Sequence, residues 1–378
     1  MIYQVNTCYN IVLENDWFVN IIYEDILQGG TMTDKRSIVK KATSAILKAL
    51  AVFLTTLALI VVALLGVIYV LVKGPSPTAQ KLFVLSVRET SAVGFLANIY
   101  LSDEELAKLT VSEIVKEPSE KTDTSLIEIP TPTPSTRPND SETDIPEITE
   151  EEKDIEVVRI SGSLYEGVML IVKDPLRLFV GTPDELGGKG LKLVEMVEKY
   201  DAVAGINAGG FYDPLGGGHE GTPDGMVICN GEVVWGEPNV KLNVAGFDNL
   251  GILHVGMMTT EEAMDAKIQW AVSFGPALII NGKVQSFESD LISGLNPRTA
   301  IGQRIDGAVL MLVVDGRRMN SLGATYGDLA DIMLDFGAVN ASNLDGGSST
   351  LMIYEGEVMN VCASVTGPRA LPTTFLVR

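Results

Sequence analysis

Apolar and polar positions divide this chain into three parts: one uninterrupted apolar block, a polar stretch without periodicity, and a region of short apolar runs punctuated by glycine and proline. The block runs from Ala49 to Val72, 24 uncharged and mostly apolar residues. At about 1.5 Å per helical residue it crosses a hydrocarbon core of about 30 Å. It is longer than the apolar region of a cleaved signal peptide and no small-x-small cleavage site follows it, so an uncleaved signal anchor is expected. Lys35, Arg36, Lys40, Lys41 and Lys48 precede it, whereas only Lys73 follows closely. That bias predicts a single-pass protein of the cell membrane, with residues 1–48 cytoplasmic, 49–72 as the transmembrane helix and the rest extracellular. The codons of Gln28-Gly-Gly-Thr31 can spell a purine-rich ribosome-binding sequence before Met32, so Met32 is the expected natural start and residues 1–31 an over-called extension.

Beyond the block, Ser102-Asp-Glu-Glu105 has the form of an N-cap with an acidic first turn, followed by Leu106, Leu109 and Ile114. Residues 73–116 are therefore expected to form a small membrane-proximal helical segment. The stretch 117–154 carries 12 acidic and 3 basic residues, with Pro130-Thr-Pro-Thr-Pro134, Pro138 and Pro146. Like charge and proline favour extended backbone over a core, so the stretch reads as a stalk.

From Ile155 the pattern becomes that of a mixed α/β domain, 155–378, with flanking helices around a central mixed sheet. Gly167–Val172 and Leu178–Val180 are short apolar strands, and Leu193, Val197 and Tyr200 recur at helical spacing before the small-residue strand Ala202–Asn207. Ala308–Val314 is a continuous apolar β-run that stops at Asp315-Gly316. Thr325-Tyr-Gly-Asp328 is a capping box for a helix ended by Gly337, and the strand after it leads to Asp345. Strand, helix and strand in this order predict a right-handed crossover between parallel strands, with Asp315 and Asp345 at carboxyl ends in one sheet. Ala202-Val-Ala-Gly-Ile-Asn-Ala-Gly-Gly210 echoes Ala338-Val-Asn-Ala-Ser-Asn-Leu-Asp-Gly-Gly347, each after a helix, an internal pseudo-repeat.

Charge and rare residues narrow the chemistry. A net charge of −21 excludes nucleic acid as a partner bound through phosphate contacts. The three cysteines, Cys8, Cys229 and Cys362, match no metal spacing or disulfide framework, although Cys229 and Cys362 could pair if the fold brings them together. With only His219 and His254 in the chain a multi-histidine metal centre is excluded, so any metal sits among oxygens. His254 lies in an apolar strand and reads as structural. His219 lies in the loop Gly216–Gly221 and reads as a substrate contact.

The polar clusters that remain are Asn207–Asp213, His219–Asp224, Asn296-Pro-Arg298-Thr299, Asp315 with Asn343-Leu-Asp-Gly-Gly-Ser348, and Gly367-Pro-Arg369. Glycine pairs let backbone approach a ligand, carboxylates supply charge or a base, and an arginine fork suits phosphate or carboxylate. Asp345 with Asp315, held with backbone carbonyls, could also bind a divalent cation such as Ca²⁺.

The set Asp174-Pro-Leu-Arg177, Asn207-Ala-Gly-Gly-Phe211, Pro297-Arg-Thr-Ala-Ile-Gly302, Val314-Asp-Gly316, Asn343-Leu-Asp-Gly-Gly-Ser348 and Pro368-Arg369 resembles the phosphodiester glycosidase family over residues 160–378. The resemblance implies hydrolysis between a sugar's anomeric carbon and a phosphodiester, leaving free sugar and a phosphomonoester without a required cofactor. It implies functional roles for Asn207, Gly209, Gly210, Arg298, Asp315, Asp345, Gly346, Gly347, Ser348 and Arg369. Asp345 is the favoured nucleophile or base and Asp315 the runner-up; the arginines would neutralise the phosphate.

Two features depart from that family. Gly346-Gly347 runs directly into Ser348, where a third glycine is common, and the stretch Gly216–Gly225, with His219 and Asp224 as added substrate contacts, is distinctive. The stalk and sparse cysteines fit a bacterial protein acting on an envelope glycan, such as an exopolysaccharide. A non-catalytic polymer-binding or assembly protein is the alternative. A serine esterase is disfavoured because no Gly-x-Ser-x-Gly elbow is present.

Overall fold

A computed structural model of the chain describes residues 32–88, 96, 98–102, 105–106, 120–129, 154–212, 221–287, 294–364 and 366–378. The proposed extension before Met32 lies outside the described residues, and so does His219. The chain divides into two units, 1–70 and 71–378. In the first, helix α1 (Met32–Lys73) realises the apolar block; its Lys40–Lys73 part is long and apolar enough to cross a membrane. In the second, α2 (Pro77–Arg88) is followed by the cap read from sequence: Glu105 N–H donates to Ser102 Oγ at 3.2 Å and Ser102 N–H to Glu105 Oε2 at 3.0 Å.

Part of the acidic stretch read as a stalk is seated on the domain. Asp123 N–H donates to Asn281 Oδ1 at 2.7 Å, Glu128 N–H donates to the Ile305 carbonyl at 2.7 Å, and Ile127 is buried. Thr122 Oγ1 accepts from Val255 N–H at 3.1 Å, so these residues complete an edge of the fold. The charge density that argued against a core is consistent with this, because the seating is made of hydrogen bonds and a single apolar anchor.

The domain is organised by runs that are apolar at every position. β14 (Val309–Val314) is buried along its whole length, and period-2 geometry sends Val309, Met311 and Val313 to one face and Leu310, Leu312 and Val314 to the other. It lies inside a seven-stranded sheet ordered β1 (Ile155–Ser161), β2 (Glu166–Val172), β14, β13 (Arg298–Arg304), β15 (Ala338–Leu344), β11 (Ala277–Ile280) and β12 (Lys283–Val284). A second sheet holds β7 (Glu232–Trp235), β6 (Val227–Cys229), β10 (Ile268–Ser273), β8 (Leu242–Asp248) and β9 (Leu253–Met258). A third holds β17 (Glu357–Val358), β16 (Met352–Tyr354), β5 (Ala204–Asn207), β19 (Thr374–Val377) and β3 (Leu178–Gly181). A small ribbon pairs β18 (Ala370–Leu371) with β4 (Leu191–Lys192).

The inner faces of the three sheets meet in one core that joins Met311 and Ile301 to Phe247, Phe375 and Ile206. Each outer face is covered by a helix: α5 (Tyr326–Asp335) on the first sheet through Leu329 and Met333, α4 (Thr260–Asp265) on the second through Ala263, and α3 (Leu193–Tyr200) on the third through Met196 and Val197. The capping box at Thr325 forms as its spacing predicts: Asp328 N–H donates to Thr325 Oγ1 and Thr325 N–H to the Asp328 carboxylate.

The mixed α/β class holds, but the strand pairing differs from expectation. Among the described residues every paired ladder is antiparallel; β14 and β15 do run in the same direction, yet β13 lies between them, antiparallel to both. The reason is in the chain itself: Thr299-Ala-Ile-Gly302 is small enough to fill the centre, with Gly302 giving room to the Met333 sulfur. The consequence serves the site. Arg298 begins β13 opposite Val314, and Thr299 stands opposite Leu344, so Arg298, Asp315 and Asp345 share one end of one sheet.

Candidate active site

Three chain segments meet at that end because glycines allow it. A Cβ on Gly316 would fall 2.5 Å from the Pro297 nitrogen, and one on Gly346 would fall 2.8 Å from the Pro297 carbonyl oxygen. Pro297 is thus clasped between the two turns, and Gly347 N–H donates to its carbonyl at 2.8 Å. The two sequence echoes, which follow α3 and α5, meet here as well: Asp345 N–H donates to the Ala208 carbonyl at 2.9 Å, and Asn207 Nδ2 donates to the Asp345 carbonyl at 2.5 Å.

Asn207 is fully buried and fully used. Its Oδ1 accepts from Thr299 Oγ1 at 2.8 Å and from Leu351 N–H at 3.1 Å, so it knots two sheets together behind Asp345. Gly209 and Gly210 are close-approach positions: Gly209 N–H donates to Thr373 Oγ1 at 3.0 Å, Gly210 N–H donates to the Ser273 carbonyl, and a Cβ on Gly210 would meet the Phe274 ring at 3.0 Å. Asp224 is exposed, and its N–H reaches the Gly210 carbonyl at 2.9 Å.

Arginines surround the Gly346–Thr350 turn. Arg298 is buried; its Nε donates to the Ala324 carbonyl at 3.1 Å, its Nη2 to the Gly294 carbonyl at 3.2 Å, and its guanidinium lies 4.5 Å from the Tyr326 ring centroid. Arg369 Nη1 donates to Ser349 Oγ at 3.2 Å while its guanidinium lies 4.5 Å over the Phe211 ring. A third cation escaped the sequence reading, which stopped at Asp315-Gly316. Arg317 Nη1 donates to Ser348 Oγ at 3.2 Å and Nη2 to Asn296 Oδ1 at 3.2 Å. Its φ of +59° is in the left-handed region, a strained placement for a residue with a Cβ. The signal available in sequence was its position, two residues past a strand end already singled out.

The two aspartates differ. Asp315 is buried and its carboxylate is filled by protein donors: Val361 N–H at 2.9 Å and Asn360 Nδ2 at 3.2 Å to Oδ1, and Arg318 Nη1 at 3.2 Å to Oδ2. Asp345 is half-buried at the start of the Gly346–Ser349 turn, whose hydroxyls Ser348 and Ser349 are held by Arg317 and Arg369. His254 lies away from this cluster on β9, where its Nε2 meets Asp248 Oδ2 at 3.1 Å. Cys229 and Cys362 are free thiols, and burial pushes Cys229 up to about 11.

Parts of this chain are similar to known proteins. Residues 200–378 match the family described as Phosphodiester glycosidase. The chain is 26% identical over 223 residues to mouse N-acetylglucosamine-1-phosphodiester alpha-N-acetylglucosaminidase, covering 53% of this chain and 42% of that protein. It is 38% identical over 91 residues to the SPbeta prophage-derived protein YomE of Bacillus subtilis, covering 23% of this chain and 14% of that protein. It thus spans less than half the length of either relative. In fold it is similar to the zebrafish N-acetylglucosamine-1-phosphodiester alpha-N-acetylglucosaminidase catalytic domain auto-inhibited by pro-peptide, at 20% identity, a TM-score of 0.50, and 59% coverage of this chain against 82% of that one. The segment that supplies Asn207, Arg298, Arg317, Asp345 and Arg369 therefore lies within the stretch that matches the phosphodiester glycosidase family.

Proposed function

We propose that this protein is a membrane-anchored, extracytoplasmic hydrolase that cleaves the glycosidic bond of a sugar-1-phosphodiester, with a phosphorylated envelope glycan as its substrate class. The observation that carries the reading is the hold of Arg317 and Arg369 on the Ser348 and Ser349 hydroxyls of the turn that follows Asp345, with the Arg298 side-chain stem packed beside Gly346. A phosphodiester is anionic and its phosphate is already a good leaving group, so charge neutralisation by rigid guanidinium forks lowers the barrier more than a carboxylic acid would. Water adds to the anomeric carbon, the bond from that carbon to the phosphate oxygen breaks, and free sugar and a phosphomonoester leave. Asp345 supplies the carboxylate at the anomeric carbon. Asp315 holds the loop that carries Arg317, through Arg318, Asn360 and Val361. Asn207 positions Asp345 through its carbonyl.

A Ca²⁺ ion shared by Asp315 and Asp345 does not fit this donor set. Ca²⁺ gathers about 6–8 oxygens, whereas both Asp315 oxygens accept from protein N–H groups, one of them from a guanidinium. The anchor and the outward orientation rest on the apolar helix and the lysine and arginine bias before it.

The test is release of free sugar by the full chain from a panel of sugar-1-phosphodiesters that includes UDP-N-acetylglucosamine. Release that is lost in Asp345→Asn and Arg298→Ala is expected. No release from any member, with saturable binding of the same compounds dependent on Arg298, would replace the hydrolase with a polymer-binding protein.

A further inference from the structure

The arginines proposed to bind phosphate leave the sugar's place open, and a cavity lies beside the Gly210-Phe211 turn on which Arg369 packs. It measures about 550 Å³, within the usual range of about 300–1,000 Å³ for ligand sites, and is lined by Pro223, Asp224, Trp235, Glu237, Val240 and Leu242. Two contacts make it continuous with the site. Asp224 N–H donates to the Gly210 carbonyl at 2.9 Å, and Pro223 pairs with Phe211, the ring over which Arg369 lies at 4.5 Å.

The wall of this cavity is shaped by a backbone irregularity. β6 and β7 pair Val227 with Trp235 but Ile228 with Val233, so Val234 is a bulged residue that re-aims Trp235 at the mouth of the hairpin. Past it, Gly236 at φ +127° packs against Met226 Cα and the Gly225 carbonyl, where a side chain would close the gap. One edge of the indole is backed by Gly187, and the ring packs partly on the central core. The result is an anchored aromatic ring with one carboxylate from each flanking loop, Asp224 and Glu237.

We propose that this cavity is a pyranose subsite, with Trp235 stacking on the C–H face of a neutral sugar ring and Asp224 and Glu237 accepting hydrogen bonds from its hydroxyl groups. An indole offers a flat apolar surface to an axial C–H array, and carboxylates are acceptor-only partners for hydroxyl donors. The same two carboxylates repel phosphate, while Arg369, stacked on Phe211, and the arginines beside the Asp345 turn attract it. Substrate polarity is thereby set by charge: sugar toward Trp235, phosphate toward Arg298, Arg317 and Arg369. That orientation rests on the glycosidase reading, but sugar binding by the cavity does not.

The experiment titrates detergent-solubilised full chain with free N-acetylglucosamine, glucose, galactose and mannose, followed by saturation-transfer NMR. Saturable binding of at least one sugar is expected, weakened about tenfold or more by Trp235→Ala and less by Trp235→Phe. Because Trp235 also packs on the core, the exposed pair Asp224→Asn and Glu237→Gln gives an independent reading: each lowers affinity and changes the preference among the four sugars. Inorganic phosphate leaves sugar affinity unchanged. Absence of saturable binding, equal affinity in wild type and all these variants, or competition by phosphate would overturn the subsite. Sugar binding that follows these variants in a protein with no phosphodiester turnover keeps the subsite and removes the glycosidase. Turnover with a KM indifferent to all of them does the reverse.

Discussion

Asp315 and Asp345 end two strands that run the same way through one sheet, each is followed by glycine, and each flanks the start of β13. Their surroundings nevertheless separate them. Asp315 accepts three hydrogen bonds, from Asn360, Val361 and Arg318, all supplied by the fold. Asp345 instead opens a turn of glycines and hydroxyls framed by guanidinium groups. We assign Asp315, bound by three donors of its own protein, to the scaffold, and Asp345, beside close-approach glycines and guanidinium-held hydroxyls, to the substrate. Two aspartates that each precede a glycine thus take different loop partners, and that difference is what separates the roles proposed for them.

The sharpest way to break this division is to neutralise each carboxylate in turn. Asp345→Asn is expected to lower sugar release by about a thousandfold with an unfolding midpoint close to wild type, since removal of a positioned base or nucleophile costs about 10²–10⁴ in rate. Equal losses from Asp315→Asn, with stability intact, would reverse the assignment. Steady-state rates and a thermal melt on the same preparations decide it.

Arg317 carries the next largest effect. Arg317→Gly removes the guanidinium without holding a Cβ at φ +59°, so it separates chemistry from strain. Sugar release is expected to fall about a hundredfold, the loss typical of one preorganised charge donor, while the fold is retained. Arg317→Lys restores charge without the fork between Ser348 and Asn296, and recovers only part of the rate. Full activity in Arg317→Gly would reduce Arg317 to a loop prop.

Much of this was legible beforehand, for identifiable reasons. Apolar runs such as Val309–Val314 and capping pairs such as Thr325 with Asp328 encode local structure directly, and the strand ends at Asp315 and Asp345 followed from them. What local pattern does not carry is which strand lies between two others. β13 between β14 and β15 is fixed by small residues that let α5 approach, a tertiary property. Asn207 read as a ligand contact because it precedes glycines, yet its amide is consumed by Thr299, Leu351 and Asp345, none of them its neighbours in sequence. Arg317 was missed because its meaning comes from Ser348 and Asn296, 31 and 21 residues away.

Asp315→Asn tests the scaffold side of the comparison through stability. Its carboxylate accepts one guanidinium and two neutral donors, and an amide in its place sets a donor against Arg318. Arg318 is about one-third exposed, which screens the pair, so a loss of about 1–2 kcal/mol is expected in denaturant unfolding. A loss within error would mean that the loop is held by its backbone alone.

Asp248 is a second saturated carboxylate and gives the smallest and most selective test. Burial alone would raise its carboxyl above the usual 3.8, but the hydrogen bond to His254 and the N–H groups of Ile252 and Leu250 outweigh burial and hold it lower. A depressed carboxyl contributes stability that is complete above its ordinary value and is lost as pH falls through the folded-state value. Wild-type unfolding free energy should therefore decline more steeply below about pH 4 than that of Asp248→Asn, which has no proton to take up there. Asp248 is tied to β9, away from the arginine cluster, so sugar release assayed at neutral pH should be unchanged in this variant. Parallel acid slopes for the two proteins would show that a carboxylate filled by backbone donors can lose its charge without cost to the fold, and the scaffold role inferred for Asp315 from the same kind of hydrogen bonds would weaken with it.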